Sequence, residues 1–379
     1  MKQLIKTLCL SVVLSLVLNV HALEIKTSGG YDTNPFELSG QVDGGLFTDI
    51  NISHAGTKKV LEKSELRYNA KLNNRLYEKT FEDADTHRLD LRGRFVHRFK
   101  IGERSANFLL TGDWRSDRRT YFSQSQRALA TTGGNSISDR FDYDTAKLAA
   151  ELIYRLDKKH SISLYSYLSG RNYLEDYDDI GLESLDYYEY SFQPTYRYKN
   201  NELGLRGRAF VYYRYRLYED LLEDDATGAN IAGDKLRYDF YGYGVTTTKS
   251  ITEKLSINAY ANGYFARDDS SGFRDFDYHQ LRLGLDYQIS DARKLSAQGS
   301  CYIRDFLLDV ASPVESETGA AGRLRKGCKA EAEYSAPFIK LNNEQLRWQA
   351  KVGTEVESNS AQNLSFDKFY AMFSISYEF

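Results

Sequence analysis

The chain ends on "FDKFYAMFSISYEF" (366–379). Phe369, Ala371, Phe373, Ile375, Tyr377 and Phe379 hold every second position, with Ser374, Ser376 and Glu378 in the later gaps and Tyr370 and Met372 blurring the earlier ones. A period of two gives a strand one apolar and one polar face. The last residues of a soluble chain are ordinarily polar, because a frayed end that exposes rings to water is unfavourable. This segment is expected to turn its apolar side to something other than water.

The same alternation recurs upstream. "HRLDLRGRFVHRF" (87–99) sets Leu89, Leu91, Gly93, Phe95 and Phe99 against Arg88, Asp90, Arg92, Arg94 and Arg98. "LGLRGRAFVYYRYRLY" (203–218) sets Leu205, Ala209, Val211, Tyr213, Tyr215 and Leu217 against Arg206, Arg208, Arg214 and Arg216. "QLRWQAKVGTEV" (345–356) sets Leu346, Trp348, Ala350, Val352 and Val356 against Arg347, Gln349, Lys351 and Glu355. These runs exceed the roughly 5–6 residues of an ordinary globular strand.

Connections alternate too. Short ones fall at 102–104, 158–160, 200–201, 252–254 and 291–294, and longer polar ones at 117–141, 175–185, 219–234, 268–275 and 310–321. Short turns at one end and long loops at the other predict a closed antiparallel transmembrane barrel of about 16 strands, the first being "LEIKTSGGYDT" (23–33). Closure follows from physics, since hydrocarbon offers no partner to a free N–H or C=O. Composition agrees: Tyr is abundant at 30 residues while Pro is only 4, and mean hydropathy is -0.55.

"MKQLIKTLCLSVVLSLVLNVHA" (1–22) has Lys2 and Lys6 before an apolar run and ends on Val-His-Ala, the pattern of a secretory signal peptide. Cleavage after Ala22 would leave 23–379 as one barrel domain. The C-terminal stretch, with Phe373, Ile375, Tyr377 and terminal Phe379, resembles the targeting signature of bacterial outer-membrane proteins. That resemblance implies residence in the bacterial outer membrane and recognition by the barrel-assembly machinery. "GYDTNPF" (30–36) resembles the opening of several outer-membrane export barrels, and no function is carried from it.

If the apolar face meets lipid, the other face meets the lumen. Arg88, Arg92, Arg94, Arg98, Arg206, Arg208, Arg214, Arg216, Arg347 and Lys351 fall there, joined by Arg75, Arg155, Arg237, Arg282, Arg304, Arg323 and Arg325. On that face Lys and Arg outnumber Asp and Glu about two to one. The whole chain is near balance, with 50 basic and 53 acidic residues. Guanidinium forks in a water-filled bore create a positive field and grip carboxylate or phosphate. Two readings stand side by side: a pore favouring anions, or arginines neutralised by Asp90, Glu189, Asp239, Asp286, Glu331 or Glu355 in a plugging network. Inward Tyr187, Tyr212 and Tyr218 suit lumen filling or stacking on sugar rings, and outward tyrosines suit interfacial girdles.

The longest connection, 117–141 with the residues just before it, carries Arg115, Arg118, Arg119 and Arg127. It resembles the constriction loop of 16-stranded porins in position and length; folded inward, these arginines would narrow the bore, and otherwise the loop is an exposed one. The acidic stretches at 175–186 and 219–234 are expected on the outer surface, facing lipopolysaccharide or solvent. Cys301 and Cys328 share the lipid-facing parity of two consecutive strands, so a cross-strand disulfide is expected.

Of the 6 histidines, His87 and His97 have outward parity and His160 lies in a short turn. No hydrolase or metal-ligand motif accompanies them, so neither an enzyme nor a cofactor is implied. The reading that results is a porin-like channel passing small anionic solutes or acidic oligosaccharides. Two alternatives stay open: an export or assembly barrel working with a periplasmic partner, and a closed structural barrel. Outer-membrane lipid and lipopolysaccharide are the expected surroundings, and nothing points to nucleic acid.

Overall fold

Alternation becomes strand over most of the chain. The computed structural model describes all residues except 1–21, 36–43, 79–83, 121, 124–127, 130, 133–134, 175–183, 226–228, 270–271, 273, 308–323, 342–343, 360–364 and 379. Its strands are β1 (Ala22–Asp32), β2 (Gly45–Leu61), β3 (Ser64–Tyr77), β4 (Thr86–Ile101) and β5 (Arg104–Arg119). Four two-residue strands follow, β6 (Phe122–Ser123), β7 (Ala128–Leu129), β8 (Thr131–Thr132) and β9 (Asn135–Ser136). Then come β10 (Tyr143–Arg155), β11 (His160–Tyr173), β12 (Tyr187–Asn200), β13 (Leu205–Asp224), β14 (Asn230–Ser250) and β15 (Leu255–Asp268). The last are β16 (Phe276–Ser290), β17 (Arg293–Phe306), β18 (Leu324–Leu341), β19 (Glu344–Asn359) and β20 (Phe366–Glu378).

Sixteen of these close into one antiparallel barrel in chain order, β1 to β5 and then β10 to β20. β6–β7 and β8–β9 form two small ribbons outside it. The first strand meets the last, with Ile25 opposite Tyr377 and Gly29 opposite Phe373, so no edge is left open.

Which face is inside follows from crowding. Side chains on the concave face converge and those on the convex face diverge. Leu168, Val211, Tyr241, Leu281 and Phe373 are all exposed although apolar, Leu168 at 64% and Val211 at 57%. Residues of the other parity, among them Ser28, Asp49, Thr111, Ser163, Glu189 and Ser374, are buried although polar. Polar side chains on this second face also reach across a whole strand. Arg197 Nη2 on β12 meets Glu151 Oε1 on β10 at 2.6 Å, Tyr302 on β17 meets Glu357 on β19, and Tyr370 on β20 meets Glu331 on β18. The inverted pattern, apolar outside and polar inside, is that of a barrel spanning a membrane.

Short turns gather at one end. Gly102 and Gly204 sit there with φ of 61° and 58°, a conformation that favours glycine. In the β10–β11 turn the Asp157 carboxylate accepts the N–H groups of Lys159 at 2.6 Å and His160 at 2.8 Å. Those two donors, Lys159 first, hold Asp157 below the usual aspartate range.

Two boundaries differ from the sequence reading. The acidic run 219–234 is not all loop: β13 continues to Asp224 and β14 begins at Asn230, through register shifts around Leu222. Leu221 packs against the buried cluster of Leu236, Tyr238, Phe240 and Ala266 there, which keeps the extended hairpin together. Likewise the loop read over 117–141 begins later. Arg115, Arg118 and Arg119 belong to β5, because their ladder is still supported by partners on β4 and around β10.

Candidate functional site on the inner face

Outside, aromatics form two bands. Tyr190, Tyr213, Tyr215 and Tyr241 touch one another at ring-centroid distances of 5.4–5.8 Å toward the long-loop end. Tyr334, Trp348 and Phe373 stack at 5.2 and 5.8 Å toward the short-turn end. Between them the outer face exposes Leu164, Val211, Val245, Leu283 and Val352, with Phe192 and Tyr243 among them. Such a barrel belongs in the bacterial outer membrane. The short turns are then periplasmic and the long loops extracellular. Tyr377, Ile375 and Phe373 lie on β20, the last two exposed at 37% and 48% on the lipid face, while Phe379 lies outside the described residues.

Inside, the wall divides into two halves with different chemistry. On β1–β5 and β18–β20, cations meet carboxylates across the ladder. Arg75 Nε donates to Asp49 Oδ1 at 2.7 Å, Arg88 Nε to Asp90 Oδ2 at 2.8 Å, and Arg115 Nε to Asp90 Oδ1 at 2.6 Å. Arg92 pairs with Asp113, Arg325 with Glu357, and Lys351 with Glu331 at 2.7 Å. Register explains three of these, since Asp49 faces Arg75, Asp90 faces Arg115 and Arg92 faces Asp113, whereas Lys351 reaches diagonally to Glu331. Arg94 donates instead to Thr111 Oγ1 at 3.1 Å, Arg98 meets Glu65 near the periplasmic turn, and Arg347 Nη2 donates to the Ala292 carbonyl.

On β10–β17 the balance shifts. Glu189, buried on β12, gathers Arg216 at 2.8 Å and Arg214 at 3.6 Å. Nearer the periplasm Arg197 holds Glu151 at 2.6 Å and Lys294 holds Asp286 at 2.7 Å, while other cations lack such a partner. Arg206 faces Thr248, Arg208 faces Thr246, and Arg282 lies between Tyr260 and Ser300. Toward β12, Arg206 faces Lys199 and Arg208 faces Arg197, like charges in both cases. Among the described residues no carboxylate lies within ion-pair distance of Arg206, Arg208, Arg282 or Arg155.

Above this cationic stretch the inner face is aromatic. Leu236, Tyr238, Phe240 and Ala266 are buried together, with Tyr212, Tyr218, Tyr264 and Phe276 packed against them. Guanidinium groups lie on the rings: Arg171 is 4.0 Å from the Tyr143 centroid, Arg216 4.2 Å from Tyr187, Arg214 4.0 Å from Phe240, and Arg304 4.9 Å from Phe276. Contacts of this kind are attractive and leave the guanidinium edge free for an anion. Among the described residues the buried Nε atoms of Arg171, Arg214 and Arg304 have no hydrogen-bond partner, although that of Arg214 lies 3.6 Å from Glu189 Oε2. A recess of about 390 Å³ opens beside Arg171, lined also by Lys71, Asp90, Arg92, Asp113 and Lys147.

Several expected site residues change place. Arg115 points inward to Asp90 from the wall, Arg118 pairs with Asp144 at 3.0 Å, and Arg119 faces Thr86. None of the three sits on a constriction loop, and Arg127 lies outside the described residues. Arg237 takes the parity of Leu217 and pairs with Asp269 at 3.0 Å, so it leaves the inner set; Arg323 lies outside the described residues. Cys301 and Cys328 face each other in register with Cα atoms 4.1 Å apart and are joined by a disulfide. Lys147 and Arg171, absent from the sequence-derived set, share the parity of Thr145 and Arg155 and of Ser169, which could have revealed them.

No family model matches the chain, and no curated protein matches it in sequence. Solved structures similar to it in backbone include OmpT, an outer membrane protein of Vibrio cholerae (9% identity, covering 96% of this chain and 100% of that one, TM-score 0.45). OpdK of Pseudomonas aeruginosa is similar at 10% identity, 94% and 99% coverage and a TM-score of 0.47. An anion-selective porin from Comamonas acidovorans is similar at 10% identity, 95% and 99% coverage and a TM-score of 0.46.

Proposed function

We propose that this barrel is an outer-membrane channel that favours anions. The observation that carries the reading is the group Arg155, Arg206, Arg208 and Arg282, inner-face cations with no carboxylate partner among the described residues. Uncompensated charge on a low-dielectric wall concentrates counter-ions of the opposite sign. Paired arginines elsewhere supply hydrogen-bonded rigidity and little net field. A solute moves between several weak guanidinium sites, each replacing part of its hydration, so none holds it for long. No covalent step is involved, and the protein's own side chains supply the selectivity.

The test is a planar bilayer held across a KCl gradient. The reversal potential is expected to show chloride preferred over potassium. In the double variant Arg206→Ala, Arg208→Ala it should move toward the unselective value by a clear margin. A cation-preferring or unselective pore in the unaltered chain would refute the reading.

A further inference from the structure

Strand β13 carries its inner-face residues in a single file from the extracellular to the periplasmic end: Tyr218, Arg216, Arg214, Tyr212, Phe210, Arg208 and Arg206. The two rings in the middle are held in an unusual way. Tyr212 stands opposite Gly242 and Phe210 opposite Gly244 on β14. A Cβ at either glycine would run into the face of the ring above it, near Cζ. Each glycine therefore leaves room for a ring against β14, and both rings are half-buried on the inner face. Their planes are within 26° of one another and their centroids 6.4 Å apart, so together they make one extended apolar step along the channel axis.

Charge brackets that step. Arg214 lies above it, its guanidinium on Phe240 and its buried Nε 3.6 Å from Glu189 Oε2, an ion pair without a hydrogen bond among the described residues. Arg208 lies below, 4.8 Å from the Phe210 centroid, and Arg206 follows, facing Thr248, with no carboxylate at ion-pair distance among the described residues. A small inorganic anion has no use for two flat rings between cations. A hydrophobic solute has no use for the cations.

We infer that the β13 wall is a binding track for an extended acidic oligosaccharide, whose sugar faces rest on Tyr212 and Phe210 while its carboxylates engage Arg214 above and Arg208 and Arg206 below. The inference rests on the channel reading for its biological sense and on the ring–glycine seats for its chemistry. Sugar rings offer C–H faces to aromatic planes, and successive acidic residues place carboxylates on both sides of such a contact. Spacing along a strand, roughly 6.8 Å from one inner residue to the next, lets one chain meet several members of the file at once.

The experiment titrates the detergent-purified full chain with hexagalacturonate, maltohexaose, monomeric galacturonate and benzoate by calorimetry, and records current block by the same compounds in planar bilayers. Hexagalacturonate should bind and block; the neutral hexamer, the acidic monomer and benzoate should each be at least about tenfold weaker. This comparison on the unaltered chain needs no variant. Phe210→Ala with Tyr212→Ala should weaken hexagalacturonate about tenfold, the change expected for losing two stacking faces, while Tyr212→Phe should bind nearly as well as the parent. Equal affinity for maltohexaose, equal affinity for the monomer or benzoate, or an unchanged affinity in a correctly folded double variant would each overturn the track. Anion-selective current without hexamer binding overturns the track and leaves the channel reading standing. Hexamer binding in a barrel that passes no current supports the track and overturns the channel reading.

Discussion

Glycines 242 and 244 show how single positions shape the bore. Each replaces a side chain with the face of a ring, and the ring lies against the wall in place of crossing the channel. Gly242→Ala is expected to lift Tyr212 off its seat and destabilise the barrel by about 1–3 kcal/mol, the usual range for overfilling a packed site. Urea unfolding in lipid vesicles, followed by the mobility of the folded band, measures this; a midpoint equal to that of the parent would show that the ring does not depend on the glycine. In the sequence the pairing was invisible. Parity alone puts Tyr212, Gly242 and Gly244 on the inner side, but which ring meets which glycine depends on register, and register is set by the turns and the whole ladder. The same holds for charge. That Arg88, Arg92 and Arg208 face inward could be read from alternation, whereas the neutralisation of the first two by Asp90 and Asp113, and not of Arg208, could not.

Hairpins are where the sequence reading was strongest and where it erred most instructively. The short connections read at 102–104 and 291–294 fall at 102–103 and 291–292, close to the reading because turn residues interrupt a clear period there. Two extracellular ends were placed too early. Acidic Glu219 to Asp224 and basic Arg115 to Arg119 look like loop, yet cross-strand partners carry the ladder past the bilayer. Polarity marks where lipid ends; it does not mark where hydrogen bonding ends. The β17–β18 hairpin adds a covalent tie, Cys301 to Cys328, enclosing a sequence separation of 27 residues. Chain entropy alone gives such a tie about 3 kcal/mol. The variant Cys301→Ser with Cys328→Ser should therefore unfold at lower urea than the oxidised parent, and the parent with reductant should match it. Identical midpoints for oxidised and reduced protein would mean that the closed sheet already fixes this hairpin.

At the scale of the molecule, two properties combine. β1 pairs with β20, which satisfies every edge of the barrel, and the inner face is chemically lopsided: ion pairs run along one half, while on the other Arg206, Arg208 and Arg282 have no carboxylate at ion-pair distance among the described residues and Arg214 and Arg216 share Glu189. Closure and sidedness were legible from alternation, the even number of segments and the apolar ending. Lopsidedness was not, because it arises from which strands become neighbours. The central claim is that those guanidiniums face an enclosed aqueous bore. It is tested most directly by cysteine accessibility at two adjacent positions of β13, Arg208→Cys and Ala209→Cys, in barrels reconstituted into lipid bilayers, using a membrane-impermeant charged thiol reagent. Cysteine at 208 should be labelled rapidly and change the ionic current, while cysteine at 209 should stay unlabelled. Labelling at 209 with protection at 208 would place the arginines against lipid and contradict the account.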